Sequence, residues 1–341
     1  MSVAFFAETH KIFHLFMTKK TKLSDGVPAP KKLALYTLAL DALQIAKLGE
    51  ICADNSAFEP TQTAYTHFSY KSKTHAVTVA AYTSGKVVIS GKGTEEFVAN
   101  ILEPQVTGEA RLGYDEVYNP EWFETHAGLD ESGKGDLFGP VVSACVIAGK
   151  SAVEKWIAAG VKDSKQVASD KKIFELEKII RDTPGVIVKT AFARIEKYNT
   201  LYKKFGNLNA FLGHLHFLAL KEALAEAEER GAEMPAWGLL DQFSKSPIVQ
   251  RNLARNGIDF DLKMRTKAES DPVVAAASIV ARAAYVREIE KISELAGTPV
   301  PKGSGAEAKK TATEIFRKFG AERFGEFVKL HFKTASEAAL P

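Results

Sequence analysis

The chain has 341 residues, of which 45% are hydrophobic and 26% are charged, so it can bury a full core and has room for two domains. Its formal net charge of +3 is too small to indicate a polyanionic partner by itself, and its two cysteines, Cys52 and Cys145, exclude a disulfide framework or a paired-cysteine zinc site. No stretch is long and apolar enough to span a membrane, so we expect a protein of the reducing cytoplasm without membrane contact.

The first elements along the chain predict a small α+β domain. Apolar residues at helical spacing predict one amphipathic helix over residues 32–53. Residues 76–82 and 86–90 are rich in Val, Tyr and Thr and are joined by Thr-Ser-Gly, which predicts a β-hairpin. Thr94 is the expected N-cap of a following helix over about residues 95–102.

The sequence loses its periodicity after this region. Residues 106–124 gather Gly, Asn and Pro, which is typical of a connection between domains. We therefore expect an N-terminal α+β domain in residues 1–105, this linker, and a second domain in residues 125–341. Residues before about 33 match no pattern that would assign them a role.

The second domain is expected to mix strands with helices, which is typical of an α/β fold. The predicted strands are one leading into Asp130 and those at residues 141–147, 186–194, 237–240 and 262–267. The predicted helices are residues 170–181, 208–230 and 271–295, followed by a last helical region after Gly305.

Acidic residues stand where two of these strands end. Asp130 and Glu131 precede a Ser-Gly-Lys-Gly run, and Asp241 ends the apolar run 237–240. Strand ends at the carboxyl edge of a sheet present side chains into a cleft, and carboxylate oxygens are the ligands that Mg²⁺ prefers. A metal site is one interpretation and a set of turn-forming acids is the other, and spacing alone does not decide between them.

Residues 128–134 also fit the front of a phosphate-binding loop, Gly-x-x-x-x-Gly-Lys. Asp130 and Glu131 would place two negative charges inside the phosphate cradle, and Gly135 stands where a hydroxyl residue is needed. A Val-rich strand follows where such a loop would open a helix. We therefore reject a nucleotide-binding loop.

The stretch 128–140, Gly-Leu-Asp-Glu-Ser-Gly-Lys-Gly-Asp-Leu-Phe-Gly-Pro, resembles the opening motif of type 2 ribonucleases H, and its Gly-Lys-Gly form is similar to the ribonuclease HIII branch. Further segments resemble landmarks of the same family in the same order. They are Asp163-Ser164-Lys165, Asn207-Leu208-Asn209, Leu240-Asp241, and residues 266–270, 275–282 and 301–305. Together these segments cover most of residues 125–341.

This resemblance implies a ribonuclease H fold, in which a mixed five-stranded sheet is flanked by helices. It also implies that Mg²⁺ or Mn²⁺ is held by Asp130, Glu131, Asp241 and Glu269. Asp271 could share the role of Glu269, or it could belong with Pro272 to the first turn of a helix capped by Ser270. The N-terminal segment is similar to the extra domain of ribonucleases HIII, which resembles the TATA-box-binding protein and helps to grip the substrate.

The function that the resemblance implies is hydrolysis of the RNA strand of RNA–DNA hybrids by two-metal-ion catalysis, leaving 5′-phosphate and 3′-hydroxyl ends. We expect Gly133, Lys134 and Gly135 to read the ribose 2′-hydroxyl, and Ser164 and Lys165 to contact the substrate. We expect a monomer. A non-catalytic hybrid-binding protein is the alternative, and the four acidic residues argue against it. The histidines at 214 and 216 are interpreted as packing or surface groups.

Overall fold

The computed structural model describes residues 33–108 and 119–339. The segment before residue 33, which matched no pattern, and most of the predicted linker lie outside the described residues. The domain boundaries themselves therefore stay a prediction. Among the helices of the two described ranges, none combines the length and the apolar character that crossing a membrane requires.

Residues 33–108 build one antiparallel sheet in the strand order β1-β5-β4-β3-β2. Its strands are β1 (Leu35–Ala39), β2 (Glu59–Pro60), β3 (Thr66–Ser72), β4 (Val77–Tyr82) and β5 (Lys86–Ser90). Helix α1 (Ala42–Asp54) packs Leu48 and Cys52 into a core with Val79 and Ile89 of the sheet. The side chains that alternate with Val79 and Ile89 therefore form the opposite face of the sheet.

The prediction of one helix over residues 32–53 was wrong at its start. Residues 35–39 extend and pair with β5, with Leu35 opposite Ser90. The helix begins only after Asp41, which forms a capping box: the Asp41 carboxylate accepts from the Gln44 N–H at 2.8 Å, and the Gln44 side chain accepts from the Asp41 N–H at 3.2 Å. Strand pairing and the cap together outweigh the helical spacing of the apolar residues.

The helix after the hairpin also differs from its prediction. Helix α2 (Thr94–Phe97) continues as a π-helical segment, Val98–Thr107, which contains Pro104. Thr94 is not the N-cap, because that position is Gly93 and the Thr94 hydroxyl donates to the Gly91 carbonyl at 2.8 Å.

A second, mixed five-stranded sheet has the order β10-β9-β6-β7-β8, which confirms the expected fold class. Its strands are β6 (His126–Ser132), β7 (Val142–Ala148), β8 (Ile187–Phe192), β9 (Trp237–Asp241) and β10 (Asp261–Arg265). Strand β6 pairs with β7 antiparallel and with β9 parallel. The parallel register sets Leu129 opposite Leu240, so Asp130 and Asp241 follow side by side at the same edge.

Helices flank this sheet. They are α3 (Lys150–Ala159), α4 (Asp170–Arg181), α5 (Ile195–Phe205), α6 (Leu208–Glu229), α7 (Ile248–Arg255), α8 (Pro272–Ala296), α9 (Ala306–Phe324) and α10 (Lys333–Ala338). Helix α8 packs against β6 so closely that a Cβ on Gly128 would lie 2.4 Å from the Val273 carbonyl carbon. Only a glycine at this position allows the two backbones to meet.

Candidate active site

A cleft of about 670 Å³ opens beside the ends of β6 and β9. It brings together most of the residues singled out in the sequence. These are Asp130, Glu131, Gly133, Lys134, Gly135, Ser164, Lys165 and Asp241. Glu269 is not among the residues that line the cleft, but it lies next to Asp241, as described below.

Asp130 is 3% exposed and lies deepest among the acids of the cleft. Burial raises the pKa of its carboxyl to about 8 and the charge of Glu131 adds to this rise, whereas hydrogen bonds from the Glu131 N–H (2.7 Å) and from Ser278 oppose it. The Ser278 hydroxyl lies 2.7 Å from the Ser164 hydroxyl and 3.1 Å from the Asp163 carboxylate. Ser278 therefore joins Asp130 to the loop that carries Ser164.

Glu131 is held from the opposite side by a histidine. The Nε2 atom of His216 lies 3.2 Å from Glu131 Oε2, and Nδ1 of His216 lies 2.6 Å from the Ser143 hydroxyl. Burial works against the charge of Glu131, but the hydrogen bond and charge of His216, together with Lys134, lower the pKa of this carboxyl. Glu131 therefore stays ionised beside the buried Asp130.

Asp241 and Glu269 form a second acidic pair. Asp241 accepts from the Ala268 N–H at 3.1 Å, so the turn Ala268–Ser270 brings Glu269 next to it. Burial raises the pKa of Asp241, and the charge and hydrogen bond of Glu269 raise it further, although the Ala268 N–H opposes the rise. Glu269 Oε2 is buried and has no hydrogen-bond partner within residues 33–108 and 119–339.

The donor set fits a divalent cation. Four carboxyl groups offer hard oxygen ligands, and one of their oxygens, Glu269 Oε2, is buried without a partner in the described residues. The pKa values of Asp130 and Asp241 are raised first by burial and then by the neighbouring carboxylates, and a bound cation would oppose both effects. In the described part of the chain no three acidic, histidine or cysteine side chains are already gathered as a metal centre would need. Repulsion between the carboxylates opposes such a gathering, and the charge of a cation would offset it.

Asp271 has a structural role of its own. It is the N-cap of α8, accepting from the N–H groups of Val273 (2.8 Å) and Val274 (3.2 Å), and it also pairs with the buried His126 at 3.1 Å. The expectation that Ser270 caps this helix was therefore wrong, since its hydroxyl donates to the Lys267 carbonyl. Helix capping occupies Oδ1 of Asp271 and turns that carboxylate oxygen toward the helix.

The two glycines of the Gly-Lys-Gly loop are needed for different reasons. Gly133 has φ +88°, and a Cβ there would lie 2.2 Å from the Pro140 carbonyl oxygen, so the fold itself demands this glycine. A Cβ on Gly135 would meet no atom within 4 Å. Because Gly135 lines the cleft, its missing side chain leaves room for a ligand to approach the backbone.

Two lysines face the acids. The Lys134 ammonium lies 3.6 Å from Glu131 Oε1 and is about one third exposed. Burial disfavours the charge of Lys165, but the carboxylates of Asp163, Asp130 and Asp241 outweigh this effect and raise its pKa. Lys165 is therefore cationic at neutral pH, and both lysines line the cleft.

Sequence reasoning missed two residues that contact the acids of this cleft. His216 was interpreted as a packing group, yet it contacts Glu131, and Ser278 was noted only as part of a landmark segment. Each is separated by more than eighty residues from the acid that it supports. A buried polar residue inside an otherwise apolar helix was the one available signal, and it does not identify the partner.

Known proteins resemble this chain over most of its length. The family model for Ribonuclease HII matches residues 127–335. Ribonuclease HIII of Protochlamydia amoebophila (strain UWE25) is 38% identical over 278 residues, which cover 81% of this chain and 88% of the relative. Ribonuclease HIII of Chlamydia pneumoniae is 37% identical over 276 residues, covering 79% of this chain and 87% of the relative.

Solved structures resemble it as well. Bst-RNase HIII, crystallised in complex with Mn²⁺, is 27% identical and superposes with a TM-score of 0.59, covering 89% of this chain and 98% of that one. Aquifex aeolicus RNase H3 is 26% identical with a TM-score of 0.50, covering 87% of this chain and all of that one.

Proposed function

This chain belongs to the ribonuclease HIII branch of the type 2 ribonuclease H family, hydrolases that cut the RNA of RNA–DNA hybrids, and from that premise we propose that it does so by two-metal-ion catalysis. The observation that supports this mechanism is the cleft itself, where Asp130, Glu131 and Asp241 lie together and Glu269 lies beside Asp241. The proposed products carry 5′-phosphate and 3′-hydroxyl ends.

We propose Mg²⁺ or Mn²⁺ as the cation, since both suit carboxylate ligands, and a similar protein was solved with Mn²⁺. When bound, such ions activate water and stabilise the leaving oxygen. Asp130, Glu131, Asp241 and Glu269 would hold them. His216 and Ser278 would orient the carboxyl groups of Glu131 and Asp130 while the acids gather around a cation.

The Gly133–Gly135 loop is proposed to select the RNA strand. The open side of Gly135 lets the ribose 2′-hydroxyl, the group that distinguishes RNA from DNA, approach the backbone. Lys134, Lys165 and the hydroxyl of Ser164 line the same cleft and are proposed to contact phosphates. Phosphate contacts of this kind add affinity that weakens as the salt concentration rises.

We further propose that the sheet of residues 33–90 holds the substrate outside the cleft. The face of this sheet that points away from α1 carries small and hydroxyl side chains in register, including Thr78 opposite Ser90 and Val88 opposite Thr37. Lys71 and Lys86, both exposed, lie on the same face by strand alternation. A face that carries hydroxyl side chains and two exposed lysines suits a sugar-phosphate backbone.

The remaining proposals concern the surroundings of the protein. Cys52 and Cys145 are both free and buried, which suits a reducing compartment, and we propose the cytoplasm. The expected monomer stays a prediction.

A cleavage assay tests the main proposal. The full chain is given end-labelled duplexes of RNA–DNA, DNA–DNA and RNA–RNA with Mg²⁺ or Mn²⁺, and the ends of the products are identified. We expect only the RNA strand of the hybrid to be cut, leaving 3′-hydroxyl ends. Binding without cleavage would indicate a hybrid-binding protein, and equal cutting of duplex DNA would exclude a ribonuclease H.

Charge reversal tests the role of the first sheet. We expect Lys71→Glu with Lys86→Glu to raise the KM for hybrid by about fivefold at low salt while kcat changes little, because phosphate contacts act on affinity. Lys47→Glu, on the exposed side of α1, is the matched control. An unchanged KM in the double variant would argue against this role.

A further inference from the structure

Lys329 lies between α9 and α10 and is completely buried. Its ammonium donates to the Gly133 carbonyl at 2.7 Å and to the Asp136 carbonyl at 2.6 Å. The rings of Tyr198 and Phe332 lie beneath it, with their centres 5.5 and 5.8 Å from Nζ. A lysine from the end of the chain thus contacts both ends of the loop that contains the Gly-Lys-Gly run.

Burying the charged amino group of a lysine at this position costs free energy. Burial lowers the pKa of its amino group to about 7, although the charge of Asp136 opposes the shift. Both acceptors are neutral carbonyls, and a Met or Leu side chain would fill the same space without removing a charge from water. The lysine therefore contributes two hydrogen bonds to the loop that an apolar side chain cannot make.

The segment that carries Lys329 is itself fixed against the loop. The Lys329 N–H donates to the Leu137 carbonyl at 2.9 Å, and Val328 bridges Phe138. The Asn199 amide donates to the carbonyls of Gly325 (2.9 Å) and Val328 (3.0 Å), and its oxygen accepts from the Leu330 N–H at 2.9 Å. These bonds hold the ammonium at a set distance from the loop.

The contact helps to fix the orientation of one peptide group, because the Gly133 carbonyl accepts from the Lys329 ammonium at 2.7 Å and from the Asp136 N–H of the same turn at 3.3 Å. In a trans peptide the C=O and the N–H point in opposite directions. Because the Gly133 carbonyl points at Lys329, the Lys134 N–H of the same peptide points away from Lys329. Residues 133–135 line the cleft in which the substrate is proposed to lie.

We propose that Lys329 is a positioning residue for substrate recognition, which fixes the Gly133–Lys134 peptide so that its N–H is presented to an oxygen of the RNA strand. This inference rests on the function proposed above. Lys329 touches neither substrate nor metal in this scheme, and it acts only through the backbone of the loop.

Lys329→Met in the full chain is the first test, because it keeps the length of the side chain and removes both donors. We expect the KM for hybrid to rise about tenfold with kcat within about twofold, and the Mn²⁺ concentration for half-activity to stay unchanged. Hydrogen exchange of residues 133–137 should become faster. Lys318→Met is the matched control, since Lys318 also donates to a backbone carbonyl, that of Ala296, away from the cleft.

An unchanged KM together with unchanged exchange of residues 133–137 would overturn the inference. So would an equal rise of KM in Lys318→Met, which would indicate general destabilisation. Failure of the unaltered chain to cut hybrids would instead defeat the proposed function, and the exchange of residues 133–137 would still decide whether Lys329 holds the loop.

A second measurement does not depend on how Lys329→Met folds. In the Asp130→Asn chain, which keeps Lys329, amide resonances are followed by NMR as an RNA–DNA hybrid is added. We expect the Lys134 amide to shift and to exchange more slowly with the hybrid, and to respond less to duplex DNA of the same sequence. A Lys134 amide that does not respond to the hybrid would overturn the inference.

Discussion

The cleft is lined on one part by charged side chains and on another by backbone, and we call these two parts its walls. Different residues hold each of them in place. On one wall, Asp130 and Glu131 project charged side chains that other side chains hold, namely those of Ser278 and His216. On the other wall, the loop from Gly133 to Asp136 presents backbone, and Lys329 holds it through its carbonyls. Because the two sets of groups are held by different residues, we expect that catalysis and substrate recognition can be lost separately. Changes to the first wall should act on kcat and metal binding, and changes to the second should act on KM.

The largest effect is expected on the acidic wall. Asp130→Asn or Asp241→Asn removes a charge that the cations require, so kcat should fall by about 10³-fold or more while the KM for hybrid changes less than about threefold. Asp261→Asn is the control, since Asp261 is an exposed acid of the same sheet. Steady-state kinetics on a labelled hybrid measures both quantities. Cleavage near the original rate would contradict the assignment of these ligands.

The next largest effect is expected from the hydrogen bond between His216 and Glu131. His216→Phe keeps a ring in the buried site but removes the donor, so the Mn²⁺ concentration for half-activity should rise about tenfold. His214→Phe, two residues away on the same helix and partly exposed, should leave it unchanged. Titration of metal against activity gives both midpoints. Equal midpoints for the two variants would mean that His216 only packs.

Gly133 and Gly135 allow an effect on stability and an effect on substrate binding to be compared within one loop. Gly133→Ala should lower the free energy of unfolding by about 1 to 3 kcal/mol, because an alanine must adopt a positive φ there and collides with Pro140. Gly135→Ala should leave stability unchanged and raise the KM for hybrid by about fivefold. Urea denaturation and kinetics measure the two outcomes. A loss of stability in Gly135→Ala without any effect on KM would remove the reason for placing substrate at this loop.

The smallest effect is a pH dependence of stability. The pKa of Lys329 is lowered by burial to about 7 from its ordinary value of 10.5. Between these two values the unfolded chain binds a proton that the folded chain has released, so this group makes the protein more stable as the pH rises from 7 toward 10.

Urea denaturation at pH 7 and pH 9 should therefore show a gain of about 1 to 2 kcal/mol in the original chain that Lys329→Met lacks. The neutral amine still has two N–H groups for the two carbonyls, so the loop remains held at the higher pH. The same gain in both chains would assign the pH dependence to other groups.

The family resemblance implied the mixed sheet, and the apolar runs before Asp130 and Asp241 predicted that both acids lie at one edge of it. Asp241 does end its strand, whereas β6 continues past Asp130 to Ser132. The sequence did not predict β1, since the apolar residues of 35–39 fit a helix equally well and only pairing with β5 makes them extend. His216 and Lys329 could not be found either. Their roles depend on contacts 85 and 193 to 196 residues away along the chain, and local spacing carries no information about such contacts.

One close approach in the fold connects the strand that carries Asp130 with the helix that follows Glu269. Gly128 lies two residues before Asp130, and the start of α8 that it touches lies just after Glu269. The distance between Asp130 and Glu269 therefore depends on how closely the backbones of β6 and α8 approach each other. A side chain at position 128 would push α8 away from β6. It would thereby increase the distance between Asp130 and Glu269 without changing either acid.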